Sequence, residues 1–372
     1  MSVTQLVRRG RALAVAGCLA AGLGLGACTA TPAVRSTAAA PRPTTVVTTP
    51  ASRYLALADA VHAHGADVWV EADLVKAWRA GRDRYRRVLD SVSSFATSPG
   101  VRGVKIADEL GYGDGLEPAQ ALAFLKQATA DLHAKVPGTK VLIDVVVPEL
   151  GCLAWQHPDG TRPTTGSTSP PGQPSGIPTL SASAVLAAQR TCAATTRAKD
   201  PAAAIASVDA EIAQGGLDVV DLSAGLQEDQ RYLEWGTTRD AAMTAIWEEA
   251  SRRWGTKVTL QARKALAHPG PYSGDAQTAE ADVHTYVDIP LAHGAAAVDV
   301  WTWSQPYRNA TYQLTDPGLR GNALTAALLA RRTKGAHLWT HMTPSSLQSG
   351  IEPDVTAATK IFDAILVASG TG

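Results

Sequence analysis

The sequence lacks the features expected of a nucleic-acid binder or of a protein with several membrane spans. Its 372 residues contain 34 Lys and Arg against 34 Asp and Glu, and no long basic run occurs. Because nucleic-acid binders need a basic surface, that class is excluded. Beyond Gly26, no apolar run reaches the roughly 18 residues that a membrane helix requires. The chain after this point is therefore expected to lie outside the bilayer.

The first residues have the layout of a secretory signal peptide. Three arginines within residues 8–11 precede an uncharged run over 12–26 that is too short for a permanent membrane helix. The run ends in Leu-Gly-Ala-Cys, which resembles the lipobox of bacterial lipoproteins. This resemblance implies a lipid on Cys28 and an anchor on the extracytoplasmic face of the cell membrane. The alternative is an ordinary signal peptide that is cut near Ala30 and removes Cys28.

The segment after the lipobox has too few groups to form a core. Residues 29–50 are almost all Ala, Thr, Pro, Val and Ser, which is typical of a flexible tether. The expected organisation is therefore a signal peptide over 1–27, a tether over 28–50 and one domain over 51–372. About 320 residues suffice for a single large α/β domain.

Cysteine is rare, with four residues in the whole chain. Cys18 leaves with the signal peptide, and by the lipobox resemblance Cys28 carries the lipid. Cys152 and Cys192 remain in an oxidising compartment, and we predict that they form a disulfide. They enclose a Pro-, Gly-, Ser- and Thr-rich stretch over 157–178, so the bond would stabilise the fold by about 4 kcal/mol. The alternative is two unrelated buried thiols.

The rest of the chain alternates short β-branched segments with long Ala-rich amphipathic segments. This alternation predicts a parallel sheet. At this length it favours a TIM-like (β/α)8 barrel over an open sheet, which would usually bring a glycine-rich phosphate loop. Six strands and a weaker seventh can be identified, so the barrel is either irregular or has hidden strands. The predicted strands are 67–72, 102–107, 140–147, 217–222, 257–262, 297–303 and 337–340. The predicted helices are 53–64, 74–95, 118–135, 181–214, 239–254, 276–293 and 319–332.

The predicted strands carry polar side chains on one face. With the apolar set packed outward on helices, the other set faces the barrel interior. In the second strand this places Glu109 inside and points Asp108 to the other face. The inward set is Trp69, Glu71, Asp73, Lys105, Ala107, Glu109, Asp144, Asp221, Thr259, Gln261, Arg263, Asp299, Trp301 and Trp303.

This polar lining indicates a functional site. A purely structural barrel would carry aliphatic residues there, because an unpaired buried carboxylate costs several kcal/mol. The alternative is a scaffold of ion pairs, such as Lys105 with Asp144 or Arg263 with Asp299. Carboxylates interleaved with tryptophan suit a sugar site, since indole stacks on pyranose rings and carboxylates supply acid and base.

Two segments resemble barrel glycoside hydrolases. Residues 101–109, VRGVKIADE, resemble the strand of that superfamily that ends in Asp-Glu, whose Glu is the general acid/base. Residues 300–303, VWTW, resemble the closing strand, whose tryptophan lies under the bond that is cut. In the retaining members a second Glu ends the preceding strand, where this chain has TLQARK over 259–264. The retaining nucleophile therefore has no counterpart.

The resemblance implies a lipid-anchored extracellular glycoside hydrolase acting on a polysaccharide or glycan. Glu109 would be the catalytic acid/base, with Asp144 or Asp221 as its partner. The alternatives are a noncatalytic carbohydrate-binding lipoprotein with a degenerate site and an anchored scaffold. We expect a monomer with no cofactor, metal or nucleic-acid partner. The expected substrate-binding residues are Trp69, Glu71, Asp73, Lys105, Gln261, Arg263, Asp299, Trp301 and Trp303.

Overall fold

The computed structural model describes residues 50–112, 114–146, 201–234, 237–307 and 309–368. Cys28, Cys152 and Cys192 lie outside these residues, so the lipid anchor and the disulfide stay predictions. The predicted tether and signal peptide also lie outside them. None of the described helices is long and apolar enough to cross a membrane.

The described residues form a closed barrel of eight parallel strands. The strands pair side by side in the order β1-β2-β3-β4-β5-β7-β9-β10, and β10 pairs back with β1. The predicted barrel is therefore confirmed. Two short strands, β6 and β8, extend β7 in antiparallel pairing at one end. The bounds are β1 Asp67–Glu71, β2 Val101–Leu110, β3 Lys140–Val146, β4 Val219–Ser223, β5 Thr259–Ala265, β6 His268–Pro269, β7 Val298–Tyr307, β8 Ala310–Gln313, β9 Leu338–Met342 and β10 Ala364–Ala368.

Helices surround the barrel, and one helix predicted from the sequence is divided into two in the structure. The predicted helix over 74–95 divides at Gly81, whose φ of 106° is incompatible with a continuous right-handed helix. A π-helical turn, His284–Asp288, joins the helix Ala276–Val283 to the helix Ile289–Ala292. The bounds are α1 Pro50–Ala63, α2 Leu74–Arg79, α3 Arg82–Ala96, α4 Pro118–Lys135, α5 Pro201–Ala213, α6 Asp229–Glu234, α7 Arg239–Trp254, α8 Ala276–Val283, α9 Ile289–Ala292, α10 Ala323–Thr333 and α11 Ile351–Ala358.

The aliphatic side chains of the strands pack outward against the helices, as the alternation predicts. The large cluster between barrel and helices includes Val68, Val70, Ile143, Val220 and Val300. A second, smaller cluster lies on the interior side of the strands, and its members are Trp69, Leu142, Val219, Ala364, Leu366 and the partly buried Trp339. We call this smaller cluster the apolar plug.

The packing of the apolar plug depends on the close approach of the Gly103 backbone to the indole ring of Trp69. The rings of Trp69 and Trp339 lie 5.0 Å apart between centroids. A Cβ atom on Gly103 would lie 2.3 Å from Trp69 Cζ3, so only glycine fits beside this indole. On three strands a polar residue follows a plug residue: Glu71 follows Trp69 on β1, Asp144 follows Leu142 on β3, and Asp221 follows Val219 on β4.

Candidate functional site

Six charged side chains form a closed ring inside the barrel, in which cations and anions alternate. They come from β1, β2, β5, β7 and β9. Each cation contacts two of the anions, so every pair of neighbours in the ring attracts. We call this set the charge ring, and its members in order are Glu71, Lys105, Asp108, Arg263, Asp299 and His341.

Lys105 and Arg263 share one carboxylate oxygen. Lys105 Nζ lies 2.7 Å from Asp108 Oδ1 and 3.3 Å from Glu71 Oε1. Arg263 Nη1 lies 2.6 Å from the same Asp108 oxygen. Arg263 Nε continues the ring to Asp299 Oδ2 at 3.7 Å. Both cations therefore bind the same carboxylate oxygen of Asp108.

His341 closes the ring. Its Nε2 lies 2.7 Å from Asp299 Oδ2 and its Nδ1 lies 2.8 Å from Glu71 Oε2. An ionised carboxylate only accepts hydrogen bonds, so both ring nitrogens donate and the side chain is an imidazolium. Burial alone would lower the pKa of His341, but the charges of Asp299 and Glu71 outweigh it and raise that pKa.

The carboxylates of the ring are held ionised by their cationic neighbours. Burial opposes ionisation of Glu71, but His341 and Lys105 lower its pKa to about 2. Burial likewise opposes ionisation of Asp108, but Arg263 and Lys105 hold its pKa well below the usual range. For Asp299 the charge and hydrogen bond of His341 overcome burial and lower the pKa. The ring is therefore charged throughout at neutral pH.

Asp144 and Asp221 lie beside the ring. Asp144 contacts Arg263 Nη1, and its Oδ1 accepts the Ser223 hydroxyl at 2.9 Å. Asp221 is fully buried, and neither of its oxygens has a hydrogen-bond partner among the described residues. Burial and the negative charge of Asp299 raise the pKa of Asp221 well above its usual value. The surroundings of Asp221 therefore favour its protonated, neutral form.

The prediction that Asp108 points away from the barrel interior is wrong. The pairing of β2 with β3 shifts register between Lys105 and Ala107 and again before Leu110. These irregularities break the alternation and bring Asp108 to the cations. Glu109 has a φ of 46°, and its backbone N–H donates to Asp144 Oδ2 at 3.3 Å. Asp144 is therefore tied to Arg263 and to the Glu109 backbone.

The prediction that Trp303 faces the interior is also wrong. Trp303 is buried among the residues between barrel and helices, and its Nε1 donates to Asp354 Oδ1 at 3.0 Å. A register shift between β7 and β9 after Val300 changes the alternation along this strand. Trp301, two residues earlier, is half-buried. It lies 5.6 Å from Tyr307 and 5.5 Å from Tyr312 between ring centroids.

The structure also places three further residues of the predicted site. Asp73 is exposed and is the N-cap of α2, where its Oδ1 accepts the Val75 N–H at 3.1 Å. A capping role explains this residue without a ligand. Gln261 is buried, and its Nε2 has no hydrogen-bond partner among the described residues. Trp69 belongs to the apolar plug and not to the charged part of the interior.

Sequence reasoning missed His341 as a site residue. The predicted seventh strand stops at Thr340, one residue short, whereas β9 continues to Met342. Extending that strand would have placed Trp339 and His341 on the same inward face. In the part of the chain that the structure describes, no group of three or more His, Cys, Asp and Glu residues could hold a metal ion.

No family model matches the chain, and no curated protein matches it. A solved 2,3-dimethylmalate lyase, described as a PEP mutase/isocitrate lyase superfamily member, is 11% identical. The match covers 85% of this chain and 80% of the lyase chain, with a TM-score of 0.38. A putative phosphonomutase from Burkholderia cenocepacia J2315 is 13% identical over 84% and 91%, with a TM-score of 0.40. An exo-beta-1,4-mannosidase from Opitutaceae bacterium strain TAV5 is 14% identical over 72% and 44%, with a TM-score of 0.37.

The expectation of a glycoside hydrolase, with its carbohydrate-binding alternative, is corrected. Similar structures include the lyase, the phosphonomutase and an oxaloacetate acetylhydrolase, and the mannosidase is no more similar than these, so none of the likenesses supports a glycoside hydrolase. The site also departs from the expected one. Asp144 is bound by Arg263, and Trp303 packs outside the barrel. Neither residue is placed as the resemblance requires.

Proposed function

We propose that the protein is a barrel enzyme that transfers protons to or from a small polar molecule bound at the opening of the charge ring. One observation carries this proposal. The buried imidazolium of His341 contacts Asp299 through Nε2 and Glu71 through Nδ1. His341 and Glu71 connect a buried proton to a side chain at the edge of the interior.

The energetics favour a functional role over a structural one. Removing each charge from water costs several kcal/mol, and a barrel interior of Val, Ile and Leu would be at least as stable. Groups with strongly shifted pKa values in a cleft are frequent at catalytic sites. In (β/α)8 enzymes the active site lies at the carboxyl ends of the strands, where these residues are.

His341 and Glu71 can pass a proton in steps. The Nδ1 proton of His341 moves to Glu71, and Glu71 then protonates the substrate. His341 is left as a neutral imidazole whose Nε2–H still donates to Asp299. In the reverse sequence Glu71 accepts a proton from a substrate and passes it to Nδ1, which restores the imidazolium.

Hydrogen exchange in heavy water tests this proposal. The full chain is incubated in D2O with a mixture of small hydroxy acids, oxo acids, amino acids and polyols. Loss of individual C–H signals and the appearance of products are followed by NMR. We expect Glu71→Gln to slow the exchange at least about 100-fold, because the amide cannot carry a proton between His341 and the substrate. Asp67→Asn, which removes an exposed carboxylate paired with Arg102, is the matched control. Exchange at the unaltered rate in a folded Glu71→Gln would refute the proposal.

A further inference from the structure

We infer that Lys105 and Arg263 form the binding site for a substrate carboxylate, and that Asp108 occupies this site when the substrate is absent. The inference rests on the proposed function only for the location of the chemistry. It names the substrate class as small organic acids. We call the two cationic side chains the cation clamp.

The exposures of the three side chains are unusual for a structural ion pair. Lys105 is 1% exposed and Arg263 is 10% exposed, whereas Asp108 is 43% exposed. Both cations contact the same oxygen of Asp108, Oδ1. The carboxylate therefore enters the cation clamp from the solvent side. A carboxylate from solution can approach along the same direction.

The backbone around Asp108 permits the side chain to leave. The ladder between β2 and β3 is irregular on both sides of Ala107, and Glu109 follows with a φ of 46°. A residue in this conformation costs about 1–3 kcal/mol, and such strain is concentrated at functional sites. Because Asp108 lies in this irregular segment, its side chain can withdraw into water with little change in the regular ladder.

The charges around the cation clamp select a carboxylate over a phosphate. Glu71 also contacts Lys105, and Asp144 also contacts Arg263. A singly charged carboxylate that replaces Asp108 leaves the local charge unchanged. A phosphate dianion would add a negative charge beside the carboxylates of Glu71 and Asp144, and like charges at this distance repel strongly.

Spare polar groups lie behind the cation clamp. Gln261 is two residues before Arg263 on β5, so both side chains leave the same face of the strand. Its Nε2 is buried without a hydrogen-bond partner among the described residues. A buried N–H₂ group without a partner is uncommon and suits a second polar group of a ligand. Hydroxy, oxo or second carboxyl oxygens are acceptors of this kind.

The cation clamp also places a bound acid next to the proton pathway. Lys105 Nζ contacts both Asp108 and Glu71. A carboxylate in the position of Asp108 therefore lies beside Glu71, the last residue of the proposed proton pathway. The carbon next to that carboxylate is the natural position for proton transfer.

Calorimetric titration of the full chain with glycolate, a singly charged hydroxy acid, tests the inference, with inorganic phosphate as the comparison anion at matched ionic strength. We expect saturable glycolate binding to the unaltered protein and at least tenfold weaker phosphate binding. Asp108→Ala should bind glycolate at least tenfold more tightly, because no internal carboxylate must be displaced. Asp67→Ala, which removes an exposed carboxylate, should bind glycolate unchanged. Arg263→Lys should weaken binding at least tenfold; should it fail to fold, the Asp108→Ala comparison decides.

Three outcomes would overturn the inference. Acid binding in Asp108→Ala without any binding to the unaltered protein would make Asp108 a permanent structural ion pair. Equal binding of phosphate and glycolate would make the site a general anion site. Unaltered affinity in a folded Arg263→Lys would place the acid elsewhere. If only the proposed function is wrong, the protein binds acids in the expected pattern but exchanges no hydrogen on any of them.

Discussion

His341 Nδ1 lies 2.8 Å from Glu71 Oε2, although the two residues are 270 positions apart in the chain. Their strands, β9 and β1, are not neighbours, because β10 lies between them. The contact therefore crosses the interior of the barrel above a strand that contributes no charge to the ring. It ties the first strand to the penultimate one, so the charge ring contributes to closure of the barrel as well as to the site.

Glu71→Gln should destabilise the fold by about 3 kcal/mol at pH 7, since it leaves His341 and Lys105 buried with one anion fewer. The pKa of Glu71 is lowered from an ordinary 4.5 to about 2. Its stabilisation is thus fully present above pH 4.5 and is lost as the pH falls through 2. Urea unfolding at a series of pH values measures this difference.

The exposed pair of Asp67 with Arg102 provides the control for Glu71→Gln. Asp67→Asn should change the free energy of unfolding by less than about 1 kcal/mol, because exposed ion pairs contribute little. Equal effects of the two substitutions at pH 7 would mean that the charge ring does not stabilise the barrel.

Asp221→Asn should stabilise the protein. The pKa of Asp221 is raised above its ordinary 3.8. The folded state therefore keeps a proton that the unfolded chain releases, and this costs stability increasingly as the pH rises above 3.8. Asparagine carries no ionisable proton and removes that cost. We expect a gain of at least about 1 kcal/mol at pH 7 in urea unfolding, growing between pH 4 and 7; a loss of stability at pH 7 would contradict the neutral state of Asp221.

Regular alternation made much of the barrel readable from the sequence. In β1 and β4, valines alternate with polar residues, so the side that faces the helices is unambiguous. β10, with the sequence AILVA, was not found, because four of its five residues are buried and it shows no alternation. A continuous apolar run of that length is equally compatible with part of a buried helix.

The site was less readable than the fold, because it depends on irregular pairing. Asp108 and Trp303 both follow register shifts, and a shift depends on the partner strand, not on the local sequence. The charge ring adds a second difficulty. Which carboxylate pairs with Lys105 is decided by side chains that meet across the barrel, such as Glu71, and not by spacing along one strand.

The two tryptophans of β7 should differ in their effect on stability. Trp303→Ala should cost about 3–5 kcal/mol, because it empties a fully buried position and leaves Asp354 without one donor. Trp301 is half-buried against Tyr307 and Tyr312, and Trp301→Ala should cost about 1–2 kcal/mol. Thermal and urea unfolding compare them. A larger loss of stability in Trp301→Ala than in Trp303→Ala would contradict the position of Trp303 between barrel and helices.

Gly103→Ala tests how tightly the apolar plug is packed. The added Cβ would lie 2.3 Å from Trp69 Cζ3 and 2.6 Å from the backbone oxygen of Lys140. The indole cannot move freely, since Trp339 lies 5.0 Å away, and the Lys140 oxygen belongs to the neighbouring strand. We expect a loss of about 1–3 kcal/mol in urea unfolding.

Gly138→Ala is the matched control for this effect. Gly138 has a φ of 82° and nothing within 4 Å of its added Cβ, so it reports backbone strain alone, about 1 kcal/mol. Gly103 has no positive φ, so its cost is purely steric. Combining Gly103→Ala with Trp69→Phe should therefore recover part of the loss. Combining Gly138→Ala with Trp69→Phe should recover none of the stability that Gly138→Ala loses. Recovery in both would mean that Trp69→Phe stabilises the plug by itself and that Gly103 is not required for the approach of the indole.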